Sequence, residues 1–293
     1  MQKPATILAA VDFSGLSRLA LRRAVQLAQE HAAGLELLHV IEALPAEEEF
    51  PLAQALAAAR VELEAEVAAE VPAGSDCHCQ FEVGKDFVAI IRRARQLPAG
   101  LIVIGAHGRH ALLDYLVGTT AEKLARKAGI PLLVVKQAPQ QPYRRLLVAT
   151  DFSAAALHAL EVAMTIAPQA DVELLHVYGI WGEGRLTMAG ANAEVVEDYR
   201  HRTRVACEGL LQEWLAGVDL GGRRVEQHLL QGHPPTIIAQ LAAERQADLV
   251  VIGTAGRSGL PYILLGSVAE QTLRATSCDT LVVRPREFHF ELP

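Results

Sequence analysis

Residues 101–109 read LIVIGAHGR and residues 249–257 read LVVIGTAGR. In each, a short apolar run ends on a glycine, two residues intervene, and a second glycine follows: Gly105 and Gly108, then Gly253 and Gly256. Nine residues further on, a third glycine precedes a hydroxyl, as Gly118-Thr119 and Gly266-Ser267. An apolar run before the pattern and a helical periodicity after it place each glycine loop between a strand and a helix N-terminus. Unsatisfied backbone N–H groups and the positive end of the helix dipole converge there, which favours an anion such as phosphate. Glycines let the chain approach that anion closely.

The duplication extends outward from the glycines. ILAAVDFS (7–14) returns as LLVATDFS (146–153), LELLHV (35–40) as VELLHV (172–177), and LLVVK (132–136) as TLVVR (280–284). Four blocks in one order mean two copies of one domain rather than a short-period solenoid. We divide the chain into domain 1 (1–137), a linker (138–143), domain 2 (144–286) and a C-terminal tail (287–293). The copies keep one offset from Gly84/Gly232 to Gly105/Gly253 and a shorter one at Val40/Val177. The extra length of the second copy therefore falls near Gly179 to Asn192, read as an enlarged, divergent loop. The linker APQQP is too short to let the domains roam, so they are expected to pack together.

Within copy one, strands are expected at 6–11, 35–40, 77–83, 101–104 and 132–135. Helices are expected from Ser14 or Ser17 to about Ala32, from Glu47 to about Glu70, from Phe87 to about Gln96, and from Thr119 to Lys127. Apolar strands alternating with helices predict an α/β fold: two tandem, open, doubly wound, five-stranded parallel sheets of Rossmann-like type. Whether two chains associate into a homodimer stays open.

The chain has 293 residues, enough for two cores, with half of them hydrophobic and a net charge of −7. No apolar run approaches the roughly 20 residues of a bilayer span. The N-terminus has no signal-peptide pattern. We therefore expect a cytoplasmic protein with no membrane partner. The acidic balance argues against nucleic acid. The four cysteines, Cys77, Cys79, Cys207 and Cys278, lack a second pair at zinc spacing, so they read as buried or edge thiols and no metal site is assigned.

In an open parallel sheet, ligands bind beyond the carboxyl ends of the strands, where strand order reverses. Asp12 and Asp151 end the first strands, and Val40 and Val177 the second, on the same edge as the glycine loops. Each Asp can accept from ribose or adenine donors, or simply cap the next helix. His39 and His176, at matching strand positions, read as hydrogen-bonded edge residues rather than bases. No P-loop, no pyrophosphatase loop after strand one and no nucleophile elbow is present.

Taken with DFS and LLHV, the repeated Gly-x2-Gly-x9-Gly-Ser/Thr pattern closely resembles that of the universal stress proteins, over nearly the whole chain. The stretch from GTAGRSG to the following CD-x-LVV most resembles their E-type tandem members. The resemblance implies a fold of the adenine nucleotide alpha hydrolase type, with the last strands, 132–135 and 281–283, pairing across the copies so that the chain is an intramolecular pseudo-dimer with both sheet edges covered. It implies ATP (or ADP or AMP) held by Asp12, by Val40 through its backbone, and by Gly105, Gly108, Gly118 and Thr119. In the second copy it implies Asp151, Val177, Gly253, Gly256, Gly266, Ser267 and Val268. Mg2+ would accompany the nucleotide. Arg109 and Arg257 either meet the outer phosphates or are solvated. Thr120 departs from the Val that Val268 keeps, and the bulky His110 stands in the first loop, so the second site is expected to be the better one.

With no positioned base, no catalytic residue is assigned. The expectation is a nucleotide-dependent sensor or switch read by an unidentified protein partner, with at most weak ATPase activity. The alternatives are an interaction scaffold in which the glycines only shape turns, and a small-molecule or lipid carrier using the 179–192 segment as a lid.

Overall fold

The computed structural model describes residues 3–42, 52–108, 117–179, 193–254, 265–288 and 290. The first copy runs β1 (Thr6–Ala10), α1 (Gly15–His31), β2 (Gly34–Ile41), α2 (Leu52–Glu70), β3 (Cys77–Val83), α3 (Asp86–Gln96), β4 (Ala99–Gly105), α4 (Thr119–Lys127) and β5 (Leu132–Val135). The second runs β6 (Arg145–Ala149), α5 (Ala154–Ile166), β7 (Asp171–Tyr178), α6 (Ala193–Ala216), β8 (Val225–Gln231), α7 (Pro234–Glu244), β9 (Leu249–Gly253), α8 (Ser267–Ala275) and β10 (Asp279–Val283). The expected helix start at Glu47 and most of the enlarged 179–192 loop lie outside the described residues.

Local chemistry explains the boundaries. The Ser14 hydroxyl accepts from Ser17 N at 3.1 Å and caps α1, and Ser153 caps α5 through Ala156 N at 3.2 Å. Helix α1 stops where Ala32 turns left-handed, at φ 52°, and its N–H returns to Ala28 and Gln29. Strands β1, β4, β5, β6, β9 and β10 are almost wholly buried, as near-continuous runs of Val, Ile and Leu require in a sheet covered on both faces.

All ten strands form one sheet in the order β3-β2-β1-β4-β5-β10-β9-β6-β7-β8. Every pairing is parallel except β5 with β10. At that antiparallel junction Leu133 faces Leu281, with Leu132 opposite Val282 and Val134 opposite Thr280. Leu133 and Leu281 are equivalent positions of the two copies, so a pseudo-two-fold axis passes between them, as in an isologous dimer. Two apolar layers cover the sheet, each continuous across the junction. Helices α1, α2, α5 and α6 supply one, and α3, α4, α7 and α8 the other.

Polar contacts repeat the pseudo-symmetry. Glu122 of α4 pairs with Arg274 of α8 at 2.6 Å, and Glu270 of α8 with Arg126 of α4 at 3.1 Å. One strong interaction breaks it. Asp279, fully buried at the start of β10, accepts from Lys136 N (2.8 Å), Gln137 N (3.2 Å) and the Tyr143 hydroxyl (2.6 Å), with Arg23 Nε at 3.4 Å. Tyr143 therefore belongs to the core although it closes the linker. The Arg23 guanidinium lies 4.0 Å over the centre of its ring. The tail also docks on the first half: Phe288 is buried against Gly129, and the Phe290 carbonyl accepts from Arg95. No described helix is long and apolar enough to cross a membrane.

Candidate functional site

In each half, strand order reverses between the first and fourth strands, β1 and β4 in one and β6 and β9 in the other. The segments leaving these neighbours diverge to opposite faces, because α1 packs in one layer and α4 in the other. The crevice between them is where an open α/β sheet holds a ligand. Asp12 and Gly105–Gly108 border it in the first half, and Asp151 and Gly253 in the second.

The DFS turn aims the carboxylate. Asp12 Oδ1 accepts from Ser14 N at 3.0 Å, and Asp151 Oδ1 from Ser153 N at 3.1 Å. The residues between them, Phe13 and Phe152, sit at φ 62° and 63°. A bulky residue rarely adopts that conformation, which costs about 1–3 kcal/mol. Ring packing holds it: Phe13 lies 4.4 Å from the His39 ring and Phe152 4.1 Å from that of His176. Each histidine is fixed in turn, its Nδ1 donating at 2.8 Å to the carbonyl of Val11 or Thr150. Because a carbonyl only accepts, Nδ1 carries the proton, and the histidines brace the turn as their strand positions suggested. The strained Phe was missed from sequence, although its identity in both DFS copies was the available signal.

The motif glycines have distinct reasons to be glycine. A Cβ on Gly105 would stand 2.8 Å from the Leu16 carbonyl carbon and 3.0 Å from Ser17 N, so the end of β4 touches the first turn of α1. Gly253 makes the same approach to Ala155 and Ala156 at 3.3 Å. A Cβ on Gly108 would collide with the Asp12 carboxylate, which places the first loop directly on that acid. Gly118 N donates to the Ala106 carbonyl at 2.7 Å and Gly266 N to that of Thr254 at 3.0 Å, so each loop closes on the residue that follows its strand. These glycines therefore have structural work independent of any ligand.

Helices α4 and α8 then start without a side-chain cap, unlike α1 and α5. Their first-turn N–H groups, at 119–121 and 267–269, have no intrahelical acceptor by geometry. Thr119 and Ser267 are exposed beside them. The acids in these first turns, Glu122 and Glu270, are neutralised by the arginine pairs across the junction, which keeps the helix ends attractive to an anion.

The halves differ at the second helical residue. The Thr120 hydroxyl donates to Asp86 at the start of α3, whereas Val268 is exposed and Pro234 stands at the position equivalent to Asp86. Val40 and Val177 are half-buried at the ends of β2 and β7. The fold thus brings Asp12, Val40, Gly105, Gly108, Gly118 and Thr119 to one edge, and Asp151, Val177, Gly253, Gly266, Ser267 and Val268 to the matching one. Arg109, Gly256 and Arg257 lie outside the described residues, as does His110.

Other polar clusters stand apart from this edge. Glu173, Glu226 and His228 converge on β7 and β8, but Arg245 lies among them, 3.0 Å from Glu226 and 3.5 Å from Glu173, so both carboxylates already share a cationic partner. Cys77 and Cys79 are free thiols on the outer strand β3, and burial pushes Cys77 up to about 12. A cleft of about 280 Å³ lined by Val25, Ala28, Gly34 and Val71 also excludes the glycine loops.

The profile of the universal stress protein family matches residues 5–136 and again 142–284. A universal stress protein of Mycolicibacterium smegmatis is 29% identical over 295 residues, covering 96% of this chain and 97% of its own. Universal stress protein E of Escherichia coli K12 is 29% identical over 217 residues, covering 70% of this chain and 66% of its own. The crystal structure of a universal stress protein from Archaeoglobus fulgidus superposes with a TM-score of 0.70 at 20% identity, covering 96% of this chain and 98% of that one, a likeness of fold. With both halves matched in tandem, the chain belongs to the universal stress protein family.

Proposed function

We propose that this chain binds ATP (or ADP or AMP) at the two strand-end edges and acts in the cytoplasm as a nucleotide-dependent switch in a stress response. The observation that carries this reading is the pair of helix N-termini, α4 and α8, left without side-chain caps at the reversal of strand order and each flanked by an oriented Asp. The phosphates would lie on the first-turn amides and on the Thr119 or Ser267 hydroxyl. Asp12 and Asp151 would accept from the nucleoside.

Mg2+ suits this arrangement as a passenger of the triphosphate. It prefers phosphate oxygens and retained water to an all-protein cage, and among the described residues no cluster of three ligating side chains lies at these edges. Bound Mg2+ would supply charge neutralisation between the outer phosphates, while the amides and hydroxyls orient them.

Hydrolysis would be slow. Fast phosphoryl transfer needs a base that positions water and extra charge stabilisation at the terminal phosphate. The strand histidines, His39 and His176, are instead engaged in bracing the DFS turns, and His107 of the first loop has no counterpart in the second copy, where Ala255 stands. The response would be read by a protein partner through surfaces that change with occupancy.

Equilibrium dialysis with labelled ATP and Mg2+ tests the reading. Asp12→Ala and Asp151→Ala should each weaken one site by about 3–10-fold, the worth of a lost hydrogen bond, with unchanged thermal unfolding serving as the folding control. Undiminished binding in both variants, or no binding in the parent, would overturn it. A turnover well above one per minute that is abolished by these variants would replace the switch with an enzyme.

A further inference from the structure

Lys136 and Arg284 stand at equivalent positions just beyond β5 and β10, and each crosses the junction. Lys136 Nζ donates to the carbonyls of Leu273 (2.6 Å) and Thr276 (2.7 Å) and to the Thr276 hydroxyl (2.9 Å), around the last turn of α8. Arg284 Nη2 donates to the Arg126 carbonyl at 2.7 Å, in the last turn of α4. The two helices that present their N-termini at the glycine loops are thus each held at the C-terminus by a cation from the other half, where the dipole favours it.

The exchange is unequal. Arg284 Nη1 also donates to the Thr254 hydroxyl at 3.2 Å. Thr254 is the foot of the second loop: its carbonyl accepts from Gly266 N, and its own N donates to the Val283 carbonyl at 3.1 Å. The equivalent residue in the first half is Ala106, which has no hydroxyl to offer Lys136. Arg284 is 3% exposed, and its guanidinium lies 3.6 Å over the Phe288 ring, which itself rests against Gly129 beyond α4. A planar, rigid fork held in this way transmits a displacement at one nitrogen to the other.

We propose that Arg284 is a positioning residue that couples the foot of the second glycine loop to α4 of the first half, so that an anion bound at the second loop strengthens anion binding at the first. Fixing Thr254 fixes Nη1. Nη2 then holds the Arg126 carbonyl more firmly, and the last turn of α4 opens less often. The helix whose N-terminus receives the first ligand is thereby ordered beforehand. Coupling of this kind is reciprocal in binding free energy even though the linkage is built once. The inference rests on the nucleotide reading for its ligand but not for the linkage itself.

The test uses the full chain and reads amide hydrogen exchange in α4. Gly108→Val blocks the first site by driving a side chain onto Asp12. With ATP and Mg2+ saturating the second site of that variant, exchange of the α4 amides 122–128 should slow by at least ~5-fold. Adding Thr254→Val, which removes only the hydroxyl arm, should abolish the slowing, and Arg284→Lys, which lacks the rigid planar fork joining Thr254 to the Arg126 carbonyl, should reduce it. Unchanged α4 exchange on saturation would overturn the coupling. If no nucleotide binds the second site, the ligand-free chains decide: Thr254→Val should speed α4 exchange relative to the parent. Identical rates would overturn the linkage independently of the nucleotide reading.

Discussion

Gly105→Ala and Gly253→Ala should behave differently although the two glycines occupy the same motif position. The new methyl at 105 would sit 2.8 Å from the Leu16 carbonyl carbon and 3.0 Å from both Leu16 O and Ser17 N, all backbone atoms at the capped start of α1. Ordinary carbon contacts begin near 3.5 Å, so α1 must retreat by more than half an ångström or β4 must bend. Overpacking of that kind costs about 1–3 kcal/mol. Removing a glycine from the unfolded chain returns about 0.4–1 kcal/mol, leaving a net loss of about 1–2 kcal/mol. At 253 the nearest atoms stand at 3.3 Å, which a few tenths of an ångström relieve, and the two effects should cancel to within about 0.5 kcal/mol. Urea unfolding of parent and variants, followed by circular dichroism, measures both. Equal stability of the two variants, or Gly253→Ala as the weaker, would refute the argument that helix approach fixes the glycine at 105.

Asp279→Ala strands the Tyr143 hydroxyl, two backbone donors and Arg23 in the core, so it should cost about 3–5 kcal/mol in the same assay; a loss under 1 kcal/mol would contradict it. Ser14→Ala and Ser153→Ala each remove one helix cap and should each cost about 1 kcal/mol, which urea midpoints will show or deny. Burial lowers the Lys136 ammonium to about 8, below the roughly 10.4 of an unfolded lysine. Between those values the unfolded chain binds the extra proton, so this group's contribution to stability rises with pH. Measured against Lys136→Met, the parent should therefore gain about 2 kcal/mol from pH 8 to pH 10, and a flat difference across that window would exclude the shift.

Much of this architecture is legible without coordinates. The alternation of CHCQFEV gives β3, and the run after Gly118 gives α4, because each pattern satisfies one period over its whole length. The pairing of β5 with β10 is expected from the resemblance, and it joins two matching apolar strands, LLVVK and TLVVR, that would otherwise be edges. The candidate edges follow from Asp12, Asp151 and the glycine spacing.

What stays hidden depends on residues far apart in sequence. Asp279 looks like a strand-end acid, and only the fold brings Tyr143 and Arg23 to it. The crossed caps of Lys136 and Arg284 need helix ends from the opposite half. The Phe288 tail, apolar in sequence, reveals its seat against Gly129 only in space. Gly105 carried a phosphate reading in sequence, and the fold adds a second cause, the closeness of α1. Both causes demand a missing Cβ, so spacing alone could not separate them.

Calorimetric titration of the ligand-free chain with ATP in the presence of Mg2+ tests the central claim most directly. The account predicts saturable heat with a stoichiometry near two, and in Asp12→Ala or Asp151→Ala a two-site isotherm with one site weakened about 3–10-fold. Absence of binding heat, confirmed by dialysis, would contradict it and leave the paired glycine loops as structural turns of an interaction scaffold.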